Sequence, residues 1–150
     1  MAYWLLKSEP QVYSIEDLER DGKAIWDGVR NYQARNYLMR MKPGDLCFFY
    51  HSSATPPGIA GLCRVVQALV PDPTQFDPES PYFDPKATRE RPRWHTVEVA
   101  FVAKWPLIPL AELKGLFPPD HPLVRRGNRL SVMPVPPEVA ETLIARRGSR

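Results

Sequence analysis

Short apolar runs separated by turn-forming residues set the pattern of this chain. Tyr3 to Ser8 reads as an opening strand, ended by Glu9-Pro10. Ser14-Ile15-Glu16-Asp17 has the form of a helix start, with Ser14 as N-cap and Asp17 near the third helical position. That helix stops at Asp21-Gly22. Ala24-Ile25-Trp26 is a brief strand, and Asp27-Gly28 turns the chain. Ala34, Tyr37, Leu38 and Met41 follow the i, i+3, i+4, i+7 spacing of a buried helical stripe, with Gln33, Arg35, Asn36 and Arg40 outside it. Lys42-Pro43-Gly44-Asp45 closes this helix as a turn.

Two strong strands come next, Asp45 to His51 and Gly58 to Val70. Gly58 and Gly61 within the second predict a bend or a close backbone approach. Residues 71–92 read as a long loop rich in Pro, Asp and Ser. Loops of this length are functional or disordered, and Tyr82 and Phe83 argue against simple disorder. Arg93 to Trp105 reads as a long strand, with Val97, Val99, Phe101 and Ala103 on one face and Trp94, Thr96 and Glu98 on the other. A short helix near Pro109 to Leu116, a last strand Leu130 to Val135, and a helix carrying Val139, Ala140, Leu143 and Ile144 complete the chain. Strands and short helices without strict βαβ alternation predict an α+β fold with a mostly antiparallel barrel, as one domain over residues 1–150.

Composition changes this picture in three places. Eighteen prolines agree with many short elements and few long helices. No apolar run reaches the roughly 18 residues of a membrane span, and residues 1–7 lack the basic and apolar regions of a signal peptide, so the expected compartment is the cytoplasm and no membrane partner is expected. Cys47 and Cys63 lie in apolar stretches and read as buried reduced thiols. A zinc site would have to recruit His51 or His95; Cys47 and His51, four apart on a strand, stand about 13 Å from each other, too far to share one ion. No metal and no cofactor are expected.

The net charge of +3 is unevenly spread: residues 1–75 carry eight basic and eight acidic side chains, residues 76–150 twelve and nine. The excess lies in Arg125-Arg126-Gly127-Asn128-Arg129 and in the tail from Arg146 to Arg150. This permits a polyanionic partner without demanding one.

Three stretches carry candidate chemistry. In residues 25–36 a Trp ends a strand, a Gly-containing turn and the polar pair Arg30-Asn31 follow, and a helix begins at Tyr32. This brings an aromatic plate, a helix N-terminus and side-chain amides together, as base stacking, phosphate binding and edge reading require. If the Trp26 plate stacks a base, Trp26→Ala removes binding and leaves the fold intact; Trp26 as an ordinary core residue with a solvated Arg30 stays open. In Phe48-Phe49-Tyr50-His51-Ser52 one strand face belongs to the core. The other face lines a pocket with His51 and Ser52 at its mouth, or else both faces are buried. Third, Lys7-Ser8-Glu9 ends an apolar strand, as a site residue cluster or as a plain charged strand end.

Seven segments in order resemble the EVE domain family: "YWLLKSEP", "IWDGVRNYQARNYLMRMKPGDLCFFYHS", "GIAGLCRVV", "LVPDPTQFDP" (with Val70 where the family often has Tyr), "YFDPK", "PRWHTVEVAF" and "RLSVMPV". They run from Tyr3 to Val135. The EVE domain belongs to the PUA-like group and is similar to the YTH domain, a reader of methylated adenine in RNA. The resemblance implies a barrel with a base-sized pocket that senses a modified base, such as methylated or hydroxymethylated cytosine, in DNA or RNA. It implies a binding role, with no catalytic residue. On this resemblance Trp26 is a pocket aromatic, Lys7 and Ser8 border the pocket, and Arg30, Asn31 and Tyr32 form the turn beneath it. Tyr82 and Asp84 lie on the loop that closes over the base, and Trp94 starts the strand that leaves the loop. With Tyr50, His51 and Ser52 these make the expected ligand-binding set.

Two other functions fit less well. An ASCH-like hydrolase of modified nucleosides would assemble Lys7, Tyr50, Glu9 and Asp84, but no nucleophile motif accompanies them. A protein-interaction module would use the 71–92 loop and would present a flat apolar patch rather than a concave pocket.

Overall fold

A computed structural model describes residues 1–148; Ser149 and Arg150 of the basic tail lie outside the described residues. Six strands form one mostly antiparallel sheet in the order β2-β5-β4-β3-β1-β6: β1 (Tyr3–Ser8), β2 (Lys23–Ile25), β3 (Leu46–His51), β4 (Gly58–Pro71), β5 (His95–Pro109) and β6 (Val132–Pro134). The helices are α1 (Ile15–Asp21), α2 (Tyr32–Arg40), α3 (Leu110–Leu113) and α4 (Pro137–Gly148), with a 3-10 turn at Pro73–Phe76. This is the α+β class that the pattern predicts. None of these helices is long and apolar enough to cross a membrane.

Local chemistry explains the helix ends. The Ser14 side chain accepts from the Asp17 amide and the Asp17 carboxylate accepts from the Ser14 amide, a complete capping box on α1. The stripe of α2 is buried as spaced: Ala34, Leu38 and Met41 are covered and Tyr37 is half-buried.

One pair in the sheet is parallel. β1 lies along β3 with Lys7 opposite Tyr50 and Ser8 opposite His51. β6 runs antiparallel on the other side of β1, with Leu5 opposite Met133. This crossing sets the site, because it draws the segment before β6 to the end of β1. β4 and β5 pair over most of their length with several register shifts, which bend them. The two glycines of β4 answer to close approaches: a side chain at Gly58 would collide with the Ile108 carbonyl, and one at Gly61 with the Ala103 carbonyl and Ile15.

The strand β3 is covered on both faces. Phe48 tilts against Trp105 and Phe49 stands edge-on to Trp26, and both phenylalanines are fully buried. Cys47 and Cys63 face each other across β3 and β4, buried and unbridged. The alternative in which one face of β3 lines a pocket therefore fails at Tyr50, which is buried too.

Candidate functional site

The end of β1, the turn after β2, the tip of the 72–94 loop and the segment 128–131 enclose an open cleft of about 920 Å³. This is near the upper end of the usual range for ligand pockets and roomier than the base-sized pocket that the family resemblance implies. The extra room comes from a wall that the sequence reading left out. The Lys7 amide donates to the Ser131 carbonyl at 2.9 Å, so pairing of β6 with β1 brings Asn128 and Arg129 to the cleft.

At the end of β1, the Ser8 hydroxyl donates to the Tyr13 carbonyl at 2.6 Å. The Lys7 ammonium lies 5.5 Å from the centre of the Tyr50 ring, and burial lowers its pKa from the ordinary lysine value. Tyr50 thus sits beneath the cleft wall and does not line it.

Trp26 is 7% exposed and belongs to the core cluster, yet it also lines the cleft. Its amide donates to the Val97 carbonyl and its own carbonyl accepts from the Thr96 hydroxyl. Its indole N–H has no partner among the described residues, while every buried side-chain donor there has one. That N–H therefore opens toward the cleft. The burial overturns the expectation that Trp26→Ala spares the fold, since truncating a core Trp costs about 3–5 kcal/mol.

The turn that follows is tied down by one buried carboxylate. Asp72 is 1% exposed. It accepts from the Gly28 amide at 2.8 Å, from Arg30 at 3.1 Å, and from the amide and hydroxyl of Thr74 at 2.8 and 2.6 Å. Gly28 holds φ at +84°, and a Cβ there would stand 2.8 Å from the Tyr82 ring, so the ring packs directly on the glycine. The guanidinium of Arg30 makes five bonds: two to the Tyr82 carbonyl and one each to the Val29 carbonyl, Asp72 and Thr74. A guanidinium has five N–H donors. Arg30 borders the cleft, but its donors hold Tyr82 in place and none is left for a phosphate or a base.

Asn31 lines the cleft and also caps α2, its side-chain oxygen accepting from the Ala34 amide at 2.9 Å. Ser52 lines the cleft and donates its amide to the Ser8 carbonyl. The remaining expected residues lie behind the walls. His51 Nε2 accepts from the Ile15 amide at 3.1 Å and so holds the start of α1; burial lowers its pKa. Tyr32 stacks on Trp94 at 5.0 Å between ring centres, with the guanidinium groups of Arg30 and Arg35 5.0 and 5.6 Å from the Trp94 ring. The Asp84 carboxylate accepts from the Trp94 indole at 2.8 Å and pairs with Arg93 at 3.5 Å. Tyr32, Asp84 and Trp94 form an outer buttress for the Tyr82 loop; of the loop pair expected to cover a ligand, Tyr82 alone reaches the cleft.

The sequence matches the EVE domain family over residues 2–146. The chain belongs to the EVE domain family. This EVE domain is 42% identical over 157 residues to thymocyte nuclear protein 1 of Homo sapiens, covering 91% of this chain and 70% of that protein. Across the vertebrate proteins of that name the chain spans 51% to 70% of their length. In structure it is similar to a Pseudomonas putida protein (TM-score 0.90, 54% identity, 96% of this chain and 98% of that one). It is also similar to human THYN1 protein in a crystal structure in complex with 5-methylcytosine containing DNA (TM-score 0.86, 40% identity, 97% of each chain).

The EVE-domain cleft holds groups that the sequence reading missed. Asp27, next to Trp26, lines it, as do Tyr13, Lys23, Asn128 and Arg129. Burial, and then the negative charge of Asp72, raise the Asp27 pKa from the ordinary aspartate value. The signal for Arg129 was present: the basic run ends on Arg129, the first residue of "RLSVMPV", and its position follows once that strand is paired with "YWLLKSEP". Arg125, Arg126 and Arg129 are exposed and enter no ion pair among the described residues.

Proposed function

We propose that this chain is a reader of nucleic acid that seats one modified base, a modified cytosine in DNA, in the cleft and catalyses nothing. The observation that carries the reading is the likeness, over 97% of each chain, to human THYN1 protein in complex with 5-methylcytosine containing DNA. The cleft supports it with an aromatic wall whose N–H is open, a donor at Lys7, and the Tyr82 ring at its edge. The exposed arginines at 125, 126 and 129 are the cations that meet phosphates; Arg30 is not one of them. The hydrolase reading loses support because Tyr50 is buried and Asp84 is bound to Trp94 and Arg93, so the four groups it needs do not meet.

The test is affinity for oligonucleotides that differ at one position, 5-methylcytosine against cytosine, in DNA and in RNA, at two salt concentrations. Tighter binding of the modified DNA, weakening as salt rises, is the expected result. Equal affinity for modified and unmodified strands of both kinds would contradict it.

A further inference from the structure

A pocket that senses a methyl group on cytosine has a second problem to solve. Thymine carries the same methyl on the same ring carbon, so apolar contact with that methyl cannot separate the two bases. They differ at the neighbouring edge. Cytosine presents an N4 amino donor beside an N3 acceptor; thymine presents an O4 acceptor beside an N3–H donor. Rejecting thymine takes a hydrogen-bond acceptor aimed at that edge.

Several side chains at the cleft are donors: Lys7, Lys23, Arg129 and the Trp26 indole. The acceptor-only groups are three carboxylates. Asp21 is taken by the Tyr13 hydroxyl at 2.9 Å and by Arg20. Glu9 stands exposed beyond the end of β1. Asp27 follows Trp26 in the chain, lines the cleft, and is bonded through its side chain by no other residue among the described residues. An unpaired carboxylate beside a base pocket repels phosphates, so attraction of the backbone does not explain it.

Resting on the reading of the cleft as a modified-cytosine site, we propose that Asp27 is the specificity residue that selects cytosine over thymine, by accepting from the N4 amino group. As a carboxylate it accepts from N4–H and sets lone pair against lone pair at thymine O4. A carboxylic acid would carry a donor beside an acceptor, as asparagine does, and match either base, so the carboxylate is the form that discriminates.

The proposal has a variant that separates it from a general role in binding. Asparagine carries both a donor and an acceptor and can turn its amide over. In Asp27→Asn it matches cytosine one way and thymine the other. The experiment measures binding of wild type, Asp27→Asn and Asp27→Ala to oligonucleotides carrying 5-methylcytosine, cytosine or thymine at one position, with melting temperatures as the fold control. Wild type is expected to favour 5-methylcytosine over thymine by about tenfold or more. Asp27→Asn is expected to hold 5-methylcytosine within about threefold of wild type and to bind thymine nearly as well. Asp27→Ala is expected to lose about ten- to a hundredfold on 5-methylcytosine. Melting temperatures stay level, because the carboxylate supports no other residue. If Asp27→Asn rejects thymine as strongly as wild type does, or Asp27→Ala binds 5-methylcytosine at full strength, the assignment is overturned. A retained preference for 5-methylcytosine over cytosine would then leave the wider reading standing; wild type without that preference would overturn the wider reading itself.

Discussion

One wall of the cleft is held by apolar packing and the wall facing it by buried polar side chains. The β1 and Trp26 side rests on Leu5, Leu6, Phe48 and Phe49, all fully buried, and on the paired strands β1 and β3. The Tyr82 side belongs to a loop running from Asp72 to Trp94 with a single 3-10 turn. Two side chains order it. Asp72 accepts four bonds. Gln75, 0% exposed, donates to the carbonyls of Asp72 and Trp94 and accepts from the amides of Arg93 and Trp94. Packing of many small contacts weakens by degrees when one is lost. A network in which each member satisfies several others fails together, because each loss strands buried donors. The site thus combines a graded wall with an all-or-none wall.

Removing the centre of the polar wall should produce the largest effect. Asp72→Ala strands the Arg30 guanidinium, the Gly28 amide and both Thr74 donors, and breaking a buried pair in this way costs about 3–5 kcal/mol. The expected outcome is a lower melting temperature, with hydrogen exchange accelerated in residues 72–94 and in the Gly28 turn while β3 and β4 stay protected. Exchange that rises equally in β3 and β4 would show the two walls to be one unit, and the comparison would break.

Acid acts on the supports of the apolar side, and more gently. The Nε2 of His51 accepts from the Ile15 amide, and the Nδ1 of His121 accepts from the Leu123 amide at 3.1 Å. Both bonds need an unprotonated nitrogen. Burial lowers the pKa of both imidazoles, so the unfolded chain binds more protons than the folded one below the ordinary histidine value of about 6.5. Stability from these groups is present above that value and is lost as pH falls through the lowered folded values. A melting temperature that declines from pH 7.5 to 5.5, with a shallower decline in His51→Gln, is the expected result; a flat profile would remove His51 from the account of this wall.

How much of this was legible depends on whether a feature is local or long-range. The Ser14 capping box, the α2 stripe and the Gly58 and Gly61 approaches are local or periodic, and each appeared where its residues pointed. Asp72 was not legible. In Pro71-Asp72-Pro73 an aspartate looks like a turn former, and two of its partners, Gly28 and Arg30, are 44 and 42 residues away. Arg30 misled for the same reason: an arginine beside a Gly turn suggests a phosphate, and only the fold reveals that five bonds to four protein acceptors already hold it. Alternation along β3 puts Tyr50 on the face of Phe48 and His51 on the face of Phe49, and leaves one of the two faces free to line a pocket; the burial of both phenylalanines against Trp105 and Trp26 cancels that inference. Lys7, Ser8, Trp26 and Tyr82 came together as expected because the family resemblance carries topology that periodicity lacks.

The central claim is that a base enters the cleft beside Trp26, and the indole N–H signals of the protein report on it directly. Trp4 and Trp94 donate theirs to Asp45 and Asp84 at 3.0 and 2.8 Å, while the Trp26 N–H faces the cleft. Titration of 15N-labelled protein with a 5-methylcytosine oligonucleotide should shift the Trp26 indole signal strongly and leave that of Trp4 in place. Saturable binding that moves backbone signals around Arg125 to Arg129 while the Trp26 indole stays unmoved would contradict the account.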